Sequence, residues 1–332
     1  MQSSFVHSGL IQATGHGGMD TILTMEHVID WLMDGDPAIR WQTLRDLTGA
    51  PENEWRAERR RTLQAGWGAQ FLEHLRLDGT WPPGRWTDTV WTLLTLIDCG
   101  LPSDHPPIRS AAERFLERNL TPQRASDEAW LRTRIDLCHL GFWLRIGAYF
   151  LGNDARMAEV AHAALRLQLP DGGWNCRTRI DPQTHHSSFH TTLNVLEGLS
   201  LAAQTGIISQ SVFRQSEDRA AEFMLVHNLY RSDRTGEVID ERFTRLTYPS
   251  HWHYTVLRGL DYLRASPAIA DVRLADPISV LASRRNARDR WPLDQRIPGT
   301  KLFDMEKIGA DSRWNTLRAE RVFRARARAT TS

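Results

Sequence analysis

The chain has 332 residues, with 41 Lys and Arg against 40 Asp and Glu and a formal net charge of +1. That balance argues against a nucleic-acid or membrane-surface role driven by net charge, and the length allows one large core or two smaller ones. Three cysteines, Cys99, Cys138 and Cys176, are too few for a disulfide framework and suit a reducing compartment.

Residues 1–24 are rich in Ser, Gly and His and are expected to form a flexible segment, with Met19 or Met25 as alternative starts. There is no basic segment followed by an apolar core at the N-terminus, and no apolar run long enough to span a bilayer. The expectation is a cytoplasmic protein without stable membrane insertion, with its domain at 25–328 and a tail at 329–332. The mixed charges of Glu54 to Arg61 and the basic run Arg313 to Arg328 read as solvated helix faces.

From Glu26 onward, apolar runs stop in turn signals at Leu47-Thr48-Gly49, Cys99-Gly100-Leu101, Leu151-Gly152-Asn153, Gln204-Thr205-Gly206 and Ala265-Ser266-Pro267. The period of about 50–60 residues accommodates two helices and a long loop, giving six units. The first helix of a unit is amphipathic, as in Ile108, Ala112, Phe115 and Leu116, or in Ala161, Ala164, Leu165 and Gln168. The second is apolar on more of its surface, as in Val90 to Ile97 and Phe142 to Phe150. The simplest arrangement places amphipathic helices outside and apolar helices inside, in two concentric rings. Strand signals are scarce, and candidates such as Glu237-Val238-Ile239 lie in loops.

Turns linking first and second helices share a pattern: Leu77-Asp78-Gly79-Thr80-Trp81, Gln168-Leu169-Pro170-Asp171-Gly172-Gly173-Trp174 and Asp289-Arg290-Trp291-Pro292. Asp-Gly supplies a tight turn and Trp a staple on the preceding helix end. Val195-Leu196-Glu197-Gly198-Leu199 aligns with Val256-Leu257-Arg258-Gly259-Leu260, which sets His190 opposite His251. Aligned helix starts would face one mouth of a central cavity, where unpaired N–H groups favour an anion.

Several residues near these starts carry chemistry. Asp88 reads either as a helix cap or as a general base in an aromatic cavity. His251 and His253 are candidates for proton handling. Trp86, Trp91, Trp143, Trp252 and Trp314 suit an apolar ligand or simply fill space, and Arg134 suits an anionic leaving group. Cys138 reads as a metal ligand or as a small buried residue. Cys176, His185, His186 and His190 form a second metal-competent group, with the His185-His186 pair expected at the surface.

The Gln-x-x-Asp-Gly-Gly-Trp turn resembles the Gln–Trp repeat of squalene and oxidosqualene cyclases. Phe189-His190-Thr191 followed by Leu196-x-Gly198-Leu199-Ser200 resembles the β subunits of protein prenyltransferases. The better match covers Asp136 to Ala203, about a fifth of the chain. The resemblance implies an all-α fold, a single α6/α6 toroid. The Asp-x-Asp-Asp motif of protonating cyclases and the Asp-Asp-x-x-Asp motif of metal-dependent terpene synthases are both missing. The prenyltransferase branch implies zinc held by Asp136, Cys138 and His190, with Cys176 or His186 as lesser alternatives, and it allows a helical partner subunit. The leading expectation is zinc-assisted transfer chemistry on an apolar or isoprenoid-like small molecule. A metal-free cyclase or lyase using Asp88 and the tryptophans is the alternative, and a non-catalytic ligand- or protein-binding toroid is the third reading.

Overall fold

The computed structural model describes residues 27–152, 154–299 and 301–331; the expected N-terminal segment, both alternative starts and Ser332 lie outside them. The described residues are helical and form no strand, only isolated bridges such as Arg231 with Val238. None of their helices is long and apolar enough to cross a membrane.

The helices are α1 (27–33), α2 (Pro37–Thr43), α3 (Glu52–Arg60), α4 (Gly66–Glu73), α5 (Trp86–Cys99), α6 (Pro106–Asn119), α7 (Pro122–Ser126), α8 (Glu128–Thr133), α9 (Cys138–Ile146), α10 (Ala155–Arg166), α11 (Phe189–Gln204), α12 (Gln210–Val226), α13 (Val256–Leu263), α14 (Ala275–Ser283) and α15 (Arg313–Thr331). Helix α15 continues to Thr331, past the expected end of the domain at 328.

Local chemistry sets many of the boundaries. Asp36 caps α2 by accepting from the Ala38 N–H at 2.8 Å, with Pro37 in the first turn. α5 ends on Gly100, whose φ of 75° is the left-handed conformation glycine adopts without strain. α6 buries Ile108, Ala111, Ala112, Phe115 and Leu116 along one face, as its periodicity requires. α5 and α11 are buried over more of their surface, including polar residues such as Thr92 and Asn194.

Packing runs from α2 to α5, from α5 to α9 and from α9 to α11, and α13 packs on α15, which in turn packs on α2. α11 and α13 are joined by Arg258 and Glu197. The tightest of these contacts is between α9 and α11, where glycines meet. A Cβ on Gly198 would stand 2.7 Å from the Gly141 Cα, and one on Gly141 would stand 1.9 Å from the Asn194 carbonyl oxygen. Only hydrogen at these positions lets the two backbones approach so closely.

Three turns have one geometry. Trp81, Trp174 and Trp291 are fully buried, and each donates its indole N–H to a carbonyl ten residues earlier: Phe71, Ala164 and Leu281, at 2.8, 2.7 and 2.8 Å. Each turn closes with the same backbone hydrogen bond, from Arg76 N to Thr80 O, Leu169 N to Gly173 O and Asn286 N to Arg290 O. The tryptophan thus ties a carbonyl of the preceding helix's last turns to the loop while filling the core beside it.

Gly141→Ala is expected to destabilise the protein by about 2–3 kcal/mol, because the clash is with backbone. Gly147→Ala would meet only the flexible Met157 side chain and should lose less. Urea unfolding of both variants measures the difference.

Candidate functional site

The centre of the fold is built from charges on otherwise apolar helices. Asp98 on α5, Arg145 on α9, Glu197 on α11 and Arg258 on α13 each follow an aliphatic residue, Ile97, Leu144, Leu196 and Leu257. Arg145 donates to Asp98 and Glu197, both at 2.7 Å. Arg258 donates to both Glu197 oxygens at 2.9 and 2.7 Å, to Asn194 Oδ1 at 2.8 Å, and to the carbonyls of His251 and His253. Burial alone would raise the Glu197 carboxyl, but the Arg258 and Arg145 guanidiniums outweigh it and bring it down to about 2. These pairs were not among the candidates from sequence. The available signal was a charge inside each apolar run at the repeat spacing: 47 residues from Asp98 to Arg145, 52 to Glu197 and 61 to Arg258.

On one side of this network lies a cavity of about 280 Å³. Its wall is made by the start of α5, the 248–251 turn and the 296–306 segment, with Phe71, Pro82, Leu302 and Phe303 among its apolar lining. The Trp91 indole and the His251 imidazole stack at 4.9 Å and 10°. His251 has a φ of 49°, an uncommon conformation for a residue with a Cβ, and Arg258 holds its carbonyl. Burial, with His253 and Arg258 nearby, lowers His251 to about 4, so the ring is neutral at physiological pH.

Three carboxylates share that wall, and one of them, Asp304, pairs with Arg296 and Lys301, which also line it. Asp88 has the cap geometry, accepting from Arg85 N at 2.8 Å and pairing with its guanidinium at 3.2 Å, and it also lines the cavity. Glu306 accepts from the first N–H groups of α15, Arg313 at 2.7 Å and Trp314 at 3.2 Å, and from the Ser312 hydroxyl. Burial raises Glu306 despite these bonds. The 296–306 segment has no helical or strand periodicity, so Glu306 and Phe303 carried no signal in the sequence.

The remaining candidates are dispersed. His253 stands with Trp252 and His190, at 3.8 and 5.8 Å between ring centroids. Trp86 packs against Trp91 edge-on and against His139 at 4.7 Å. Trp143 is fully buried and stacked on Trp130, and Trp314 is buried beneath Tyr248 at 4.3 Å. Arg134 is exposed at the end of α8. His186 is exposed beside His185.

The three residues expected to hold zinc have separate partners. Asp136 accepts from Arg179 at 3.0 Å. His190 Nδ1 accepts from the Tyr254 N–H at 2.8 Å. Cys138 is joined to Cys176, whose sulfur accepts from Cys138 N at 3.4 Å and from the Thr191 hydroxyl at 3.3 Å. The hydrogen bond from the Cys138 thiol brings Cys176 down to about 7, while the same bond and burial push Cys138 up. Among the described residues no three or more His, Cys, Asp or Glu side chains stand close enough to hold a metal ion. The arrangement described therefore does not fit a three-ligand zinc site.

Comparison of the chain with protein-family models, with curated proteins and with solved structures finds no match.

Acid should unfold this protein in two stages. His139, His190, His251 and His253 are lowered from 6.5 to about 4, so the unfolded chain binds more protons between those values. Their contribution is fully present above pH 6.5 and is lost as pH falls towards 4. Glu197 is lowered from 4.5 to about 2 and adds a further loss across that lower window. Melting temperature against pH tests this, and His251→Asn, which tolerates the positive φ, should flatten the upper stage. Glu197→Gln removes the countercharge of two buried arginines and is expected to destabilise by about 3–5 kcal/mol at neutral pH.

Proposed function

We propose that the chain is a closed toroid of six helical hairpins and an enzyme that moves protons on a compact, mainly apolar molecule, without a metal. In this reading α2, α5, α9, α11, α13 and α15 form the inner ring. The order of helix contacts, the three matching tryptophan turns and the charges at repeat spacing support it.

One observation carries the chemistry: a neutral imidazole stacked on an indole, in a mainly apolar cavity whose wall also carries Asp88 and Glu306. A neutral histidine near 4 is a weak base, suited to accepting a proton from a carbon strongly acidified by positive charge beside it in the ligand. The Trp91 face and the Asp88 charge favour positive charge developing in the ligand. The volume, about 280 Å³, lies at the small end of the roughly 300–1,000 Å³ of ligand pockets, which favours a short isoprenoid-like molecule over a squalene-sized one. Zinc-assisted transfer stays a separate reading, and no step here runs through a metal. A ligand-binding toroid without catalysis is the second reading, favoured by the ion pairs that fill the centre beneath the cavity.

The test uses geraniol and farnesol as probes, with native mass spectrometry for binding and solvent deuterium incorporation for proton transfer. Binding lost in Trp91→Ala, with exchange lost but binding kept in His251→Asn, is the expected result. Binding without exchange in the unmodified protein selects the non-catalytic reading. If neither probe binds, or if Trp91→Ala binds as well as the parent, the cavity is not the site. Metal analysis of the same sample returns the zinc reading if one equivalent is found and Cys138→Ser loses it.

A further inference from the structure

A second cavity, of about 290 Å³, lies on the other side of the central ion pairs, between α2, the end of α5 and α15. Its lining is polar, and its charges do not cancel. Four arginines, Arg45, Arg59, Arg318 and Arg321, face two aspartates, Asp98 and Asp261. Adding the partners just behind the wall leaves the excess unchanged, since Asp46 pairs with Arg45 and Arg321 while Arg264 pairs with Asp261. The buried Arg318 and Arg321 rely on Asp98, Asp261 and Asp46, which other arginines share, and Arg59 has no carboxylate within ion-pair distance among the described residues, so the positive surplus favours an anion.

Two residues of this wall also carry buried donors without acceptors. The Trp314 indole N–H and the Arg321 Nε–H are buried with no hydrogen-bond partner among the described residues, and both residues line this cavity. Trp314 is 1% exposed and Arg321 6%. Arg318 lies 3.6 Å from each of its two aspartates, within ion-pair range but beyond a hydrogen bond. Arg318 thus makes no direct hydrogen bond to a carboxylate among the described residues, and its guanidinium stands among the donors at this cavity. Arg59, which donates to Gly100 O and Tyr149 Oη, and the exposed Arg45 stand at the same cavity, and Arg45 marks its side towards solvent.

We propose that this cavity is a binding site for a small, multiply charged oxyanion of the phosphate or diphosphate class. Arginines from the 44–48 turn, α3 and α15 meet at this cavity, which suits the several oxygens of a tetrahedral anion better than a single flat carboxylate. The site stands apart from the aromatic cavity, and the inference does not depend on the proposed chemistry there.

Titration of the full chain with inorganic pyrophosphate, inorganic phosphate and citrate, by calorimetry at low salt, tests it. Pyrophosphate should bind with a Kd below about 1 mM and raise the melting temperature. Arg59→Gln should weaken it about tenfold, as a lost charge-assisted contact does. Arg45→Gln, at an exposed position, should also weaken binding and serves if Arg59→Gln fails to fold. Trp91→Ala, in the other cavity, should leave binding unchanged. Absence of binding at about 1 mM, or equal binding by the parent, Arg59→Gln and Arg45→Gln, would overturn the site. Citrate binding tighter than pyrophosphate would overturn the phosphate assignment.

Discussion

Glu197 lies between two buried arginines, and much of the molecule's interior is arranged around that fact. A carboxylate in this position tolerates burial only because Arg145 from one helix and Arg258 from another meet it with direct hydrogen bonds. The same arginines then fix other things. Arg145 reaches Asp98 on α5, and Arg258 holds the carbonyls of His251 and His253, so the turn that presents His251 to the aromatic cavity is anchored by a charge at the centre. The ion pairs tie α5, α9, α11 and α13 to one another through directed hydrogen bonds. The two glycines between α9 and α11 act with them, since only close backbones bring Arg145 within reach of Glu197.

Much of the helical framework was legible because it rests on periodicity. The apolar stripe of α6 and the broadly apolar α5 follow from where Ile, Leu, Phe and Val fall. The Asp-Gly and Trp turns were legible as staples, since each element of the motif has a local reason. The candidate site was legible only in part. Asp88, Trp91 and His251 share one wall, yet Asp136, Cys138 and His190 are engaged by Arg179, Cys176 and Tyr254. A motif fixes spacing along the chain, whereas these partners arrive from loops whose paths have no periodic signature. Glu306 shows the same limit from the other direction, coming from such a segment to cap a helix and line the cavity.

The two cavities differ in kind although one network separates them. One is mainly apolar, with histidine and tryptophan face to face, while the other is polar and dominated by arginine. Asp98 and Arg318 face the second cavity and also contact the small space between the two, alongside Trp91 and His251. A change in charge on one side therefore reaches groups that touch the other through a short series of direct contacts.

Helix α15 grips the opposite end of the chain. Arg321 reaches Gln42 across 279 residues, Arg313 reaches the Trp31 carbonyl across 282, and Arg324 donates to the Leu47 carbonyl. Such contacts are among the most non-local a chain can make, and closing them late is slow. During synthesis from the N-terminus, Gln42 lacks Arg321 and Asp46 has Arg45 alone until α15 leaves the ribosome. From the synthesis of α2 to that of α15 this seam stays open, with the apolar faces on either side exposed.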